Sequence, residues 1–228
     1  MKAWTVLGQA RTADGNELRL QVRDDEHLIL VDGQPLMSSR VHGSEEELAR
    51  VGCRHLRETS RPHVLVGGLG MGFTLRAALD VLPPEAIVTV AEFVPAVVDW
   101  NRGALASLAG YPLADPRVRV EAEDVLATLR ANRAQFDAIL LDVDNGPEMF
   151  TVESNRTLYD DGGVAAASSA LRIGGVLAIW SARDDRRFVL RLRSHGFTTE
   201  VVRVRARGDK GGARQIIFLG VKPGTVSS

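Results

Sequence analysis

Hydrophobic and polar positions alternate in the first part of the chain. Residues 18–22 place apolar and polar side chains in strict alternation, and a second apolar segment spans 28–31. A period of two is the pattern of a half-buried β-strand, and the Asp-Asp and Asp-Gly pairs that follow these segments are turn residues. Residues 4–7 can supply a third strand. We therefore predict a small antiparallel β-meander over residues 1–42.

The pattern changes in the second part of the chain, where continuous apolar segments alternate with helical periodicity. Ser44 and Glu47 have the spacing of a capping box, so we predict a helix that begins at Ser44 and ends before Pro62. Gly174 and Gly175 are predicted to stop the helix that covers 165–171. Five buried strands are predicted, at 64–66, 87–90, 118–120, 138–141 and 176–180.

Strands that are continuously apolar and alternate with helices indicate a parallel sheet that is covered on both faces. Two further segments, 200–205 and 215–221, flank a glycine-rich turn and predict a closing antiparallel hairpin. We predict an α/β domain over 43–228. Ligands of such sheets bind at the carboxyl ends of the strands, so the strand ends are where chemistry is expected.

The first two strand ends carry residues that suit a nucleoside. The first leads into Gly67-Gly68-Leu69-Gly70-Met71-Gly72, and glycines at 68, 70 and 72 allow a sharp turn and a close approach to a ligand. A tight turn without a ligand is the alternative. The second ends at Glu92, where a carboxylate can accept both ribose hydroxyls. Phe93 follows and can lie against the base.

The next two strand ends add four polar candidates. Asp124, beside Val125, can accept the amino group of an adenine or simply cap a helix. Asp142, Asp144 and Asn145 follow the fourth strand, where they can shift one another's pKa, bind an amine or merely form a turn. The four strand ends together predict an adenosine-type ligand, and the spacing GxGxG in place of GxGxxG argues against a nicotinamide dinucleotide.

Composition narrows the class of protein. The chain has 228 residues, of which 45% are hydrophobic and 25% charged, which is typical of a globular domain. No apolar segment is long enough to cross a bilayer and the first residues lack a signal-peptide pattern, so we expect a cytoplasmic protein without a membrane partner. A single cysteine, Cys53, forms neither an internal disulfide nor a thiolate metal site.

Charge gives no reason to expect a nucleic-acid partner. The formal net charge is −1. Residues 183–214 contain ten basic and four acidic side chains, but only two aromatic residues are available there for stacking on bases. A solvated surface is therefore favoured over a nucleic-acid stripe. We expect a small-molecule acceptor as the partner.

The motifs of the second part resemble those of the spermidine synthases, the polyamine aminopropyltransferase family. The resemblance covers about residues 25–220 and rests on the runs VLVGGLGMGFTLRAAL, VTVAEF, DPRVRVEAEDVLATL, FDAILLDVDNGPE and ALRIGGVLAIWS. It implies a Rossmann-like class I methyltransferase fold behind an N-terminal β-region, a homodimer, decarboxylated S-adenosylmethionine as the donor and a diamine as the acceptor. It also implies that Glu92 binds the ribose and Asp124 the adenine.

Other family positions differ in this chain. The aspartate that holds the donor's aminopropyl tail corresponds to Met71, and the aspartate that deprotonates the acceptor corresponds to Asn145, with Asp144 one residue earlier as a substitute base. Of the family's Gln-x-x-x-x-Asp-Glu-x-x-Tyr-His-Glu gate, only the final acid, Glu47, is kept. His42 can reach the site from this loop. Trp100, Phe150 and Tyr159 lie near loops that can line the acceptor site, or they pack internally.

Three functions follow from this pattern. Met71 removes a charge that would repel the carboxylate of intact S-adenosylmethionine, by about 1–4 kcal/mol at a few ångströms. The leading hypothesis is therefore a transferase that uses intact S-adenosylmethionine for alkyl or methyl transfer to a small molecule. The alternatives are a true aminopropyltransferase, or a protein that binds the nucleoside or methylthioadenosine without catalysis.

Overall fold

The computed structural model describes residues 2–12, 15–143 and 157–224. Its first part is an antiparallel sheet with the strand order β1-β2-β3-β4. The predicted three-stranded meander thus gains a strand after the turn at Gly33, where the backbone adopts a positive φ of 78°. The strands are β1 (Thr5–Arg11), β2 (Glu17–Arg23), β3 (Glu26–Val31) and β4 (Gln34–Ser38).

Helix α1 spans Gly43–Cys53, and the predicted capping box is wrong. The residue at the N-cap is His42, whose side chain makes no capping hydrogen bond. Ser44 lies inside the first turn, where its hydroxyl donates to the carboxylate of Glu45 over 3.3 Å. The helix is instead tied to the C-terminal part of the chain, because the Gly43 amide donates to the Ala206 carbonyl.

The second sheet has seven strands in the order β10-β11-β9-β8-β5-β6-β7. Strands β5 to β9 are parallel, and β11 is antiparallel to both of its neighbours. The α/β class, the parallel sheet and the closing hairpin are therefore as predicted. In chain order the elements are β5 (His63–Gly67), α2 (Phe73–Val81), β6 (Ile87–Ala91), α3 (Pro95–Arg102), β7 (Val118–Glu121), α4 (Val125–Ala131), β8 (Phe136–Leu141), α5 (Asp161–Ala170), β9 (Leu171–Ser181), α6 (Arg186–Ser194), β10 (Thr198–Arg205) and β11 (Arg214–Val221).

The predicted role of the glycine pair in β9 is wrong. Helix α5 ends at Ala170, and Gly174 and Gly175 lie inside the strand that follows. The pairing of β8 with β9 shifts at this point, because three residues of β8 (136–138) face six residues of β9 (171–176). Gly174 has a positive φ of 78°, a conformation that costs glycine little, so the pair forms an irregularity in the strand rather than a helix stop.

Alternate residues of each central strand enter different cores. Val64 and Val66 of β5 pack with α1 and α2, whereas Leu65 packs on the other face with α4 and α5. Leu20 and Ile29 of the four-stranded sheet belong to the first of these cores. The small sheet therefore lies on the α1 face of the large sheet, which brings β4 close to the strand ends. The domain boundary at residue 42 stays a prediction.

The lengths of the helices can be compared with the thickness of a membrane. In the three described ranges of the chain, no helix is both long and apolar enough to cross a membrane.

Candidate functional site

The glycine loop after β5 is held from three sides. The Gly68 amide donates to the Ala91 carbonyl of the neighbouring strand at 2.9 Å, and the Asn101 side chain donates to the Gly70 carbonyl at 2.8 Å. Gly68 has a positive φ of 84°, and a Cβ added there would lie 2.4 Å from the carbonyl oxygen of Asp142. Only glycine suits this position, so the loop lies directly against the end of β8.

Glu92 fixes the same loop from the end of β6. Its two carboxylate oxygens accept the amides of Leu69 at 2.9 Å and Val94 at 2.8 Å. Burial raises the pKa of Glu92, and the backbone donors oppose this increase. The amides of Gly70 and Phe93 also face this carboxylate and lower its pKa. The chemistry of Glu92 fits the predicted ribose contact.

Asp124 has the capping role that was its predicted alternative. Its Oδ1 accepts the amides of Leu126 and Ala127 at the start of α4. Both capping bonds end on Oδ1, so Oδ2 is the atom that suits an adenine amino group. Val125 is buried and packs against Gly67. Phe93 is 49% exposed, a position that suits an aromatic surface for a base.

A pair of half-buried carboxylates lies beside the glycine loop. Asp142, at the end of β8, accepts a 2.6 Å hydrogen bond from the Thr74 hydroxyl, which lowers its pKa, but burial raises the pKa by more. Glu45, in the first turn of α1, has its pKa raised by burial and by the charge of Asp142. Two acids in one low-dielectric site resist being ionised together, so a cation placed between them would be stabilised.

The carboxylate pair lies where two cavities meet. One is a cleft of about 310 Å³, which we call the acceptor cleft, formed by β4, the start of α1, the end of β8 and the strands β9 and β11. The other is a cavity of about 10 Å³ between the pair and the glycine loop. Both are lined by Met37, Ser38, Glu45 and Asp142. The acceptor cleft is also lined by Pro35, Leu36, Val41, Ser44, Val143, Trp180 and Gln215.

Met71 and Glu45 line the same small cavity. Met71 is 2% exposed. A buried apolar side chain therefore occupies the loop position that corresponds to the family's tail-binding aspartate. The carboxyl group of Glu45 nevertheless lines this cavity, although the sequence pattern did not predict Glu45 as a site residue. The sequence signal that could have identified Glu45 is its spacing from the buried residues of the helix. Glu45 precedes the buried residues Leu48, Ala49 and Gly52 by three, four and seven positions, which places it on the inner face of α1.

The neighbouring acids of α1 have other partners. Glu47, which matches the last acid of the family's gate, forms an ion pair with Arg50 at 3.4 Å on the outer face. Glu46 lies 2.7 Å from Nδ1 of His42, and the His42 ring stacks on Phe73 with centroids 4.0 Å apart. His42 is therefore engaged with α1 and α2 next to the small cavity.

Several predicted candidates lie elsewhere. Trp100 is buried under β1, where its indole would collide with any side chain at Gly8. Tyr159 is buried edge-on to Phe188. These two aromatic residues pack internally instead of lining the acceptor cleft. The candidates Asp144, Asn145 and Phe150 lie outside the described residues.

Comparison with known proteins gives related sequences and related folds. No family model matches the chain. Polyamine aminopropyltransferase 2 of Pseudomonas aeruginosa is 28% identical over 196 residues, which cover 79% of this chain and 52% of that protein. The chain thus spans about half the length of the curated relative that it matches.

Three solved structures share the fold. A spermidine synthase in complex with the transition-state analogue AdoDATO has a TM-score of 0.73 at 19% identity, and the match covers 95% of this chain and 72% of that one. Spermidine synthase from Thermotoga maritima has a TM-score of 0.74 at 20% identity with the same coverage. A probable spermidine synthase from Corynebacterium glutamicum has a TM-score of 0.67 at 18% identity and covers 97% and 81% of the two chains.

The sequence match to an aminopropyltransferase and the fold shared with spermidine synthases agree with the motifs noted above. The chain is therefore similar in sequence to an aminopropyltransferase and similar in fold to spermidine synthases.

Proposed function

We propose that this protein transfers an aminopropyl group from a sulfonium nucleoside of the S-adenosylmethionine type to the nitrogen of a small amine. The observation that carries the proposal is the half-buried pair Glu45 and Asp142, which lies beside the glycine loop and at one end of the acceptor cleft. The names of the relatives, aminopropyltransferase and spermidine synthase, support the same class of reaction.

The donor half of the site has the chemistry for an adenosine. Glu92 offers a carboxylate to ribose hydroxyls, Asp124 keeps one oxygen outside its cap, and Phe93 offers an exposed ring. The glycine loop allows the ligand to approach the backbone. The donor supplies a carbon activated by a sulfonium leaving group. The residues of this chain bind and orient it, so that a reaction between two molecules takes place within one complex.

The carboxylate pair favours a donor without an α-carboxylate. Considered alone, Met71 favours intact S-adenosylmethionine, because a family carboxylate is replaced by an apolar side chain. Glu45 and Asp142 line the same small cavity and restore negative charge there. A donor carboxylate at a few ångströms from either acid would be repelled by about 1–4 kcal/mol, whereas the ammonium of a decarboxylated donor would be attracted.

The reaction requires a free amine lone pair. The acceptor nitrogen attacks the carbon bonded to sulfur, the carbon–sulfur bond breaks with its electrons on sulfur, and a neutral thioether nucleoside leaves. The nitrogen gives up one proton, and a carboxylate whose pKa is raised toward neutrality is suited to take it. Asp142 and Glu45 can hold the amine, and Asp144 remains the proposed base.

A second candidate function rests on Met71. Its buried apolar side chain suits a donor tail that needs no carboxylate at the loop, as expected for alkyl or methyl transfer from intact S-adenosylmethionine. A protein that binds the nucleoside without turnover is the third hypothesis. The three hypotheses predict different outcomes of a product assay, namely an aminopropylated amine, an alkylated or methylated amine, or no product.

The test is a product assay by mass spectrometry. Purified protein is incubated with putrescine and either donor, and gain of an aminopropyl or a methyl group is measured. We expect aminopropyl transfer from the decarboxylated donor only, with a loss of about tenfold or more in Glu45→Gln, because an amide cannot pair with an ammonium as a carboxylate does. Glu47→Gln is the matched control, since Glu47 pairs with Arg50 on the outer face of the same helix. Methylated product would establish the second candidate instead.

A further inference from the structure

The far end of the acceptor cleft differs from the end that holds the carboxylate pair. Trp180 of β9 and Gln215 of β11 line the cleft there. The indole nitrogen of Trp180 and the amide oxygen of Gln215 are both buried, and neither has a hydrogen-bond partner. A buried polar atom without a partner is costly and calls for an explanation. A bound ligand would satisfy one donor and one acceptor at this end.

Strand register places these residues on the same face of the sheet as Asp142. Trp180 is paired with Ile217, two positions after Gln215, so Trp180 and Gln215 share a face of the sheet. Leu141 is paired with Ile179, so Asp142 and Trp180 occupy the next step of the register. Adjacent strands lie about 4.8 Å apart. The two strand spacings from β8 across β9 to β11 therefore add up to roughly 10 Å, a distance that suits a short aliphatic acceptor.

The charges of the two ends are unequal. Among the lining residues that the structure describes, Glu45 and Asp142 are the carboxylates, and both belong to the near end. A free diamine would place its second ammonium beside Trp180 and Gln215. The indole N–H of Trp180 is a donor and repels the hydrogens of an ammonium, so only the neutral amide oxygen of Gln215 would accept a hydrogen bond from it. A buried charge without a counter-charge is strongly disfavoured.

We infer that the acceptor is an amine whose far end is neutral and both accepts and donates a hydrogen bond, as a hydroxyl or an N-acyl amide does. Its oxygen accepts from the Trp180 indole, and its O–H or N–H donates to the Gln215 amide oxygen. The inference rests on the proposed function for the identity of the reacting end, and on Trp180 and Gln215 for the far end.

Three acceptors of equal chain length test this inference. Putrescine, its mono-N-acetyl derivative and the matching amino alcohol are compared by kcat/KM for aminopropyl transfer. At least one neutral-ended amine should exceed putrescine by about tenfold, since an unmatched buried hydrogen-bonding group has about this effect. The acetyl and hydroxyl compounds distinguish an amide from an alcohol. Equal or better use of putrescine would overturn the inference.

Two variants assign the preference to the named atoms. Trp180→Phe keeps an aromatic ring but removes the N–H, so the preference for the neutral-ended amine should fall by about tenfold. Gln215→Glu adds a carboxylate to the far end and should reverse the preference in favour of putrescine. Unchanged affinity for methylthioadenosine shows that both variants keep the donor half intact. If the variants fold but leave the preference unchanged, the assignment is wrong.

Equilibrium binding separates this inference from the proposed function. The three amines are titrated into protein saturated with methylthioadenosine. If no amine is alkylated but the neutral-ended amine binds more tightly, the far-end inference stands and the transferase proposal fails. If amines are alkylated without a neutral-end preference in either assay, the proposal stands and the inference fails.

Discussion

The two halves of the site are built in different ways. The donor half is made of short segments that follow the strand ends, and hydrogen bonds from backbone amides hold these segments in place. The Leu69 and Val94 amides bind Glu92, and the Leu126 amide binds Asp124. The acceptor half is assembled from β4, α1, β8, β9 and β11, which are far apart in the sequence. The proposed nucleoside site thus depends on local structure, whereas the proposed acceptor site depends on how distant elements pack.

The largest effect should come from breaking the donor half at Glu92. In Glu92→Gln, the NH2 group of the new amide would face a backbone N–H, so two donors would oppose each other. An acceptor for the ribose hydroxyls would also be lost. We expect affinity for methylthioadenosine to fall by about 100-fold and the free energy of unfolding by about 1–3 kcal/mol. Calorimetry and chemical denaturation measure the two losses. Glu85→Gln, at an exposed position, should change neither, and full affinity in Glu92→Gln would contradict the assignment.

Asp124 allows capping and binding to be separated. Asp124→Ala should lose about 1 kcal/mol of stability with its cap and also nucleoside affinity. Asp124→Ser retains a capping oxygen, so its stability should stay near that of the wild type, but it lacks the second oxygen for an adenine amino group. Thermal melting and nucleoside titration of the two variants are compared. If Asp124→Ser binds as tightly as the wild type, the residue is a cap and nothing more.

Asn101 tests how far the donor half depends on the shape of its loop. Its amide donates to the carbonyls of Gly70 and Val97 at 2.8 and 2.9 Å, and a side chain at Gly72 would contact it. Asn101→Ala should weaken nucleoside binding several-fold and lower stability by about 1–2 kcal/mol, since two buried carbonyls lose their donor. The acceptor preference should be unaffected. A change in acceptor preference without a change in nucleoside affinity would contradict the division into two halves.

A smaller effect should appear in the pH dependence of stability. The pKa of Glu45 is raised in the folded protein by burial and by Asp142, so folding favours the protonated acid. Its contribution is present below the ordinary carboxyl pKa and is lost as the pH rises through the raised value. Compared with Glu45→Gln, the wild type should melt at a similar temperature near about pH 5 and a few degrees lower near about pH 9. A constant difference between the two proteins across this range would exclude the shift.

The same division explains what the sequence could predict. Strand periodicity and the glycine turn depend on nearby residues, so the parallel sheet and the hairpin could be predicted, and Gly68, Glu92 and Asp124 stay predicted ligand contacts. The capping box at Ser44 failed because tertiary contact, namely the Gly43 amide on Ala206, determines how α1 begins. Gly174 marks a strand irregularity that local rules do not distinguish from a helix stop.

Acceptor-side residues were harder to find for a physical reason. Trp180 and Gln215 lie in strands, where a polar side chain is ordinarily assigned to a solvated face. Their common position follows only from the pairing of β9 with β11. Glu45 was missed as well, although its spacing from Leu48 and Gly52 places it on the inner face of α1. An acid at a position that the helical spacing places on an otherwise apolar helix face is the signal to search for in such sequences.

The most direct test of the carboxylate pair is a calorimetric titration of the wild type and Glu45→Gln with decarboxylated and intact S-adenosylmethionine. We expect the wild type to bind the decarboxylated donor at least about tenfold more tightly, as repulsion of about 1–4 kcal/mol requires. Glu45→Gln should lose most of this difference. Tighter binding of the intact donor by the wild type, unchanged in the variant, would contradict the account and return Met71 to the role of donor selector.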